Sequence, residues 1–157
     1  MRPLAILIAL IIGACAGTAV HTVAQDMAPA VTPAKPAASA ATVVDMDRAE
    51  HRQVGGGKAE VWLLARGNNA FVGRMELDAG FKVPLHRDPT EEYIHVLRGS
   101  GTLTIDGKAH QLKAGSTVFM PANAQVSYVN GPERMVALQV FAGPGPADKY
   151  GEWQVVQ

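Results

Sequence analysis

Between Gly80 and Gly99 the chain reads Gly-Phe-Lys-Val-Pro-Leu-His-Arg-Asp-Pro-Thr-Glu-Glu-Tyr-Ile-His-Val-Leu-Arg-Gly, and this run limits the fold more than any other. Side chains alternate across a β-strand, so His86 and Asp88 fall on one face, with Lys82 and Pro84 expected beside them. Pro89-Thr90 turns the chain, and Glu92 returns on the next strand. Parity then sends Glu92, Ile94 and Val96 inward and Tyr93, His95 and Leu97 outward. His86, Asp88 and Glu92 are thus expected to converge from two neighbouring strands.

Beyond residue 43, strand signals recur at short intervals with Gly, Pro, Asn or Asp between them. Strands are expected over 59–65, 70–77, 92–98, 101–105, 109–112, 117–120, 126–130 and 134–141. Asp106-Gly107 is a two-residue hairpin signal, because such turns need positive φ. No helix is expected. Phe71, Met75 and Leu77 read as interior, Arg74 and Glu76 as outward. About eight evenly spaced short strands make an all-β sandwich or barrel.

The first motif, Gly80, five residues, His86-x-Asp88, three residues, Glu92, six residues, Gly99, resembles the first motif of the cupin superfamily, with Asp88 in place of that family's second His. Gly115, Pro121, Asn123, Val126 and Asn130 are similarly spaced to the second cupin motif. Asn123 stands where the family has Gly, which a residue tolerant of positive φ permits. Val126 stands where the family has a His metal ligand, and valine cannot ligate. The resemblance runs from about Val43 to about Val140. It implies a single double-stranded β-helix, or jelly roll, over residues 43–157. It also implies a small-molecule pocket near Lys82, Ile94, Val126 and Tyr128, and homodimerisation. A divalent metal (Mn, Fe, Ni or Zn) held by His86, Asp88 and Glu92 would support oxygenase, isomerase or lyase chemistry.

The residues themselves leave two readings open. One imidazole and two carboxylates can bind a harder divalent ion and leave open positions for a substrate. Alternatively the cluster is metal-free: Asp88 bonds His86, and Glu92 pairs with Arg87 or Lys82. An Arg or Lys occupying the shared point would exclude the ion. Gln125 or Gln139 could add a neutral oxygen. Without metal, Glu92 or His86 is a candidate general base, and desolvation among Ile94, Val96 and Met75 would raise the Glu92 carboxyl pKa. The bland alternative is a buried acid satisfied by Tyr128 or Asn130. A non-catalytic ligand-binding or structural envelope protein is the corresponding functional alternative. His95 is excluded from the site by parity, His110 reads as solvent-facing on a strand after Lys108, and His51 has no partner at a recognisable spacing.

Acidic and basic residues balance to a formal charge of zero, which leaves no cationic surplus for nucleic acid. The only cysteine is Cys15, so the folded part has neither disulfide nor thiolate ligand. Residues 1–24 read as an export signal: one positive charge, then an apolar run too short to span a bilayer. Ile12-Gly13-Ala14-Cys15 resembles a bacterial lipobox, with cleavage before Cys15 and lipidation there; cleavage after Ala24 is the alternative. Periplasmic or outer-membrane location follows from either. Residues 25–42 are Ala/Pro-rich and too poor in apolar periodicity to fold. At about 3.1 Å per residue this tether reaches roughly 50 Å. The tail from Ala142 to Trp153 is expected to pack on an outer sheet face, with a lid over the barrel mouth as the alternative.

Overall fold

A computed structural model describes residues 40–156. The leader, Cys15 and the tether up to residue 39 lie outside the described residues; 40–42 are exposed coil. Among the described residues no helix is long and apolar enough to cross a membrane.

Among the described residues eleven strands follow in order: β1 Glu50–Val54, β2 Ala59–Arg66, β3 Phe71–Leu77, β4 Lys82–His86, β5 Glu91–Arg98, β6 Ser100–Ile105, β7 Lys108–Lys113, β8 Thr117–Met120, β9 Val126–Asn130, β10 Met135–Ala142 and β11 Gln154–Val155. A 3-10 helix, Gly145–Glu152, precedes β11. A seven-stranded sheet runs β11-β1-β2-β3-β10-β5-β8, and a four-stranded sheet runs β4-β9-β6-β7. All pairings are antiparallel. This is the jelly roll that the sequence implies.

Period-two burial builds the core. In β3, Phe71, Gly73, Met75 and Leu77 are buried while Val72, Arg74 and Glu76 are half-buried on the other face. Met75, Leu77, Val96 and Ala137 from one sheet meet Leu103, Leu112, Val126 and Tyr128 from the other. Each fully buried aliphatic side chain stabilises by about 1.5–3 kcal/mol. A second cluster, Val61, Phe71, Phe141, Ala147 and Tyr150, ties the 3-10 helix to the large sheet.

The second motif has a structural role in β9. Asn130 is buried, and its amide donates to the carbonyls of Leu77, Asp78 and Glu133. It thereby closes the loops that flank β3 and β10. Tyr128 Oη–H is shared among the Ser100 carbonyl, Asn130 Oδ1 and Met135 Sδ. A Cβ on Gly101 would lie 2.0 Å from that phenol oxygen, so the position admits only glycine. Asp106-Gly107 turns with φ of 47° and 81°, and Asn123 has φ 63°, both as the sequence requires.

Three expectations fail. β1 and β11 are additional strands, and a 3-10 helix forms where none was expected. β4 and β5 are not neighbours in one sheet but belong to opposite sheets. The face of β4 is not uniform either. Val83 pairs with Tyr128 and His86 with Val126, so one extra residue bulges between them. Val83 and His86 both face the interior, whereas Lys82 pairs with exposed Val129.

Candidate functional site

A cavity of about 480 Å³ lies between the sheets. Most of its wall is apolar, including Met75, Leu77, Phe81, Ile94, Leu103, Leu112, Met120, Val126 and Trp153. His86, Arg87, Asp88, Glu92, Gln139, Lys149 and Tyr150 supply its polar part. Such a shape, apolar with a few converging polar groups, suits a small organic ligand.

Glu92 is 5% exposed. It faces inward from β5, whose alternation leaves Tyr93, His95 and Leu97 outside. Gln139, on the adjacent β10, lies diagonally across and donates from Nε2 to Glu92 Oε1 at 2.5 Å. Tyr150 Oη donates in turn to Gln139 Oε1. Burial pushes the Glu92 pKa above the ordinary carboxylate range; the Gln139 hydrogen bond and the Lys149 charge oppose the rise, and Asp88 adds to it. Burial likewise raises the Tyr150 phenol, and Glu92 reinforces the rise. Tyr128, on the opposite wall, is pushed up to about 12 by burial.

The second polar branch starts at His86. Its Nδ1 lies 2.8 Å from the Pro84 carbonyl, an acceptor to which Nδ1–H donates. Nε2 faces Asp88 Oδ2 at 3.6 Å, too far for a hydrogen bond. Asp88 is instead held by Lys149, whose Nζ donates to Oδ2 at 3.0 Å and to Oδ1 at 3.3 Å. Lys149 Nζ also stands 4.8 Å above the Phe141 ring and 5.8 Å from that of Tyr150.

Of the expected pocket residues, Ile94, Val126 and Tyr128 line the cavity with His86, Asp88 and Glu92. Lys82 does not; the β4 bulge turns it to a shallow depression with Lys58, Asp78 and Gly80. Neither Arg87 nor Lys82 pairs with Glu92: Arg87 donates to the Asn123 carbonyl. Glu92 is satisfied by Gln139 rather than by Tyr128 or Asn130. Gln125 is elsewhere, its backbone N–H bonded to Asp106 Oδ1. His95 lies outside the site against Thr117, as parity requires. His51 stacks on Trp62 with ring centroids 3.9 Å apart. The tail is no outer packing segment, because Lys149, Tyr150 and Trp153 form part of the cavity wall. Only the mixture of breakers and aromatic residues after Ala142 hinted at this.

Residues 73–141 match the family model described as Cupin domain. Residues 73–141 therefore carry a cupin domain. Over 71 residues the chain is 37% identical to the dimethylsulfoniopropionate lyase DddW of Ruegeria pomeroyi, covering 45% of this chain and 47% of that protein. The chain thus matches about half the length of that curated relative. An RmlC-like cupin from Shewanella frigidimarina superposes with a TM-score of 0.61 at 18% identity, over 66% of this chain and 92% of that one. A predicted oxalate decarboxylase from Thermotoga maritima superposes with a TM-score of 0.59 at 25% identity, over 65% of this chain and 99% of that one.

A metal-dependent enzyme is compatible with this family. Among the described residues, however, the donors around His86 do not fit a resident ion. Among the described residues no three His, Cys, Asp or Glu side chains come together as one ion's ligand set. Val126, directly across from His86, offers no donor. The Asp88 carboxylate is already compensated by the Lys149 ammonium.

Proposed function

We propose that this cupin is a small-molecule lyase or isomerase that acts on a small carboxylate by proton transfer at Glu92, without a resident metal. The observation that carries the reading is a carboxyl group, 5% exposed, at the polar part of an otherwise apolar cavity. Burial raises its pKa, which makes its ionised form a stronger base than an exposed carboxylate. In an elimination, ionised Glu92 takes the proton from the carbon next to the substrate carboxylate. The electron pair forms the new double bond, and the leaving group departs with its own pair. Gln139 fixes Oε1, and Oε2 is the atom assigned to the proton. Likeness to a dimethylsulfoniopropionate lyase and to a predicted oxalate decarboxylase supports a small carboxylate as substrate.

The test is acrylate release from dimethylsulfoniopropionate by the purified chain, with Glu92→Gln in parallel. Release by the wild type, lowered at least a hundredfold in the variant, is expected. Equal rates in both would remove Glu92 from the reaction. Saturable binding of the substrate without release would favour the second reading, a ligand-binding module, which the same cavity supports. Export, lipidation at Cys15 and homodimerisation belong to this proposal too. The first two rest on the leader sequence, and membrane partition of Cys15→Ala tests them. The third is supported by exposed Tyr93, Leu97 and Phe119, and sedimentation tests it.

A further inference from the structure

We infer that Lys149, delivered by the C-terminal 3-10 helix, is the carboxylate-binding cation of the cavity and supplies the positive charge that a metal would otherwise bring. The inference rests on the proposed function for its ligand class, a small carboxylate.

Three observations place the ammonium for this task. Both of its protein hydrogen bonds go to one carboxylate, Asp88, while an ammonium carries three donors. The Phe141 ring lies beneath the charge at 4.8 Å, and the Tyr150 ring flanks it at 5.8 Å, so it is supported on several sides. Its side chain is nonetheless 38% exposed and lines the cavity. The pair is therefore not sealed, and the ammonium can accept a second anion. Arg87, another cation on the wall, donates to the Asn123 carbonyl and, unlike Lys149, is not among the charges that act on Glu92. Lys149 also acts electrostatically on Glu92, so a carboxylate bound to it is held beside the proposed base.

The two departures at the metal-ligand positions of the cupin motifs then have one cause. An aspartate at position 88 can hold an ammonium, which a neutral histidine could not do as well. Once the cation is a lysine, the position facing His86 needs no ligand, and Val126 adds apolar wall instead.

The test is titration calorimetry of the full chain with propionate, and with propionamide as its uncharged counterpart. Propionate is expected to bind more tightly than propionamide. Lys149→Gln should weaken propionate at least about tenfold, the equivalent of one charge-assisted hydrogen bond, and leave propionamide unchanged. Lys149→Arg should restore most of the loss. Asp148→Asn, which breaks only the exposed pair with Arg66 on the same helix, should stay within about twofold of wild type. Equal propionate affinity in Lys149→Gln and wild type overturns the inference, as does no preference for propionate over propionamide. Stoichiometric metal in the purified chain, with propionate binding lost on chelation, overturns it as well. The two proposals fail separately. Glu92-dependent acrylate release with Lys149-independent propionate binding removes only the role of Lys149. Lys149-dependent binding with no release removes only the lyase reading.

Discussion

A carboxyl group buried like Glu92 must either keep its proton or ionise without the water it has lost. Because burial raises its pKa above the ordinary 4.5, the folded chain binds that proton more tightly than the unfolded chain does. The resulting stability is complete below the unfolded pKa and disappears as pH rises through the folded one. Glu92→Gln removes this titration and keeps an uncharged group of similar shape. The stability of wild type relative to Glu92→Gln should therefore fall as pH rises above about 4.5, then level off once Glu92 is ionised in both states. Urea unfolding of both chains from about pH 4 to 8 measures it. A difference that rises with pH would mean that Lys149 and Gln139 outweigh desolvation and lower the Glu92 pKa.

Strands set which residues can reach Glu92. Strict alternation in β5 made its inward face legible in the sequence, and Asp106-Gly107 and Asn123 disclosed their turns through residues that tolerate positive φ. β9 was legible through spacing alone, and it places Val126 opposite His86. Alternation failed in β4, because a bulge adds a residue without leaving a mark in composition, and Lys82 was consequently misplaced. β1 reads Glu-His-Arg-Gln-Val, a polar segment whose strand form comes from pairing with β2 and β11. Lys149 was missed because its partner Asp88 lies 61 residues away, with no local pattern to link them. The β9 register carries its own prediction. A histidine at position 126 would point into the cavity beside His86. Val126→His with Lys149→Gln should bind Zn²⁺ at least about tenfold more tightly than wild type, since it adds an imidazole and releases Asp88. Metal titration monitored by mass spectrometry checks this. No gain would mean that the imidazoles at 86 and 126 do not converge.

The jelly roll is closed by the segment that follows β10. The 3-10 helix brings Lys149 to Asp88 and Tyr150 to Gln139, and Asp148 pairs with Arg66 at 2.6 Å. Past it, β11 joins β1, and Arg52 donates to the carbonyls of Gly151 at 2.9 Å and Trp153 at 3.3 Å. The tail therefore fastens the first strand of the domain and finishes the cavity wall. A chain ending at Gly143 loses the buried Tyr150 and Ala147 and opens the Phe71–Phe141 cluster to water. Burial of those groups is worth roughly 3–5 kcal/mol, so the truncated chain should unfold at clearly lower urea concentration. Tyr150→Phe, which removes only the hydroxyl bonded to Gln139, should cost about 1 kcal/mol. If the tail is a wall of the site, propionate binding disappears in the truncated chain even under conditions where circular dichroism shows it folded, while Tyr150→Phe retains it. A folded, truncated chain that binds propionate as the full chain does would reduce the tail to a clamp on the sheet edge, and the binding cation would then have to come from the barrel itself.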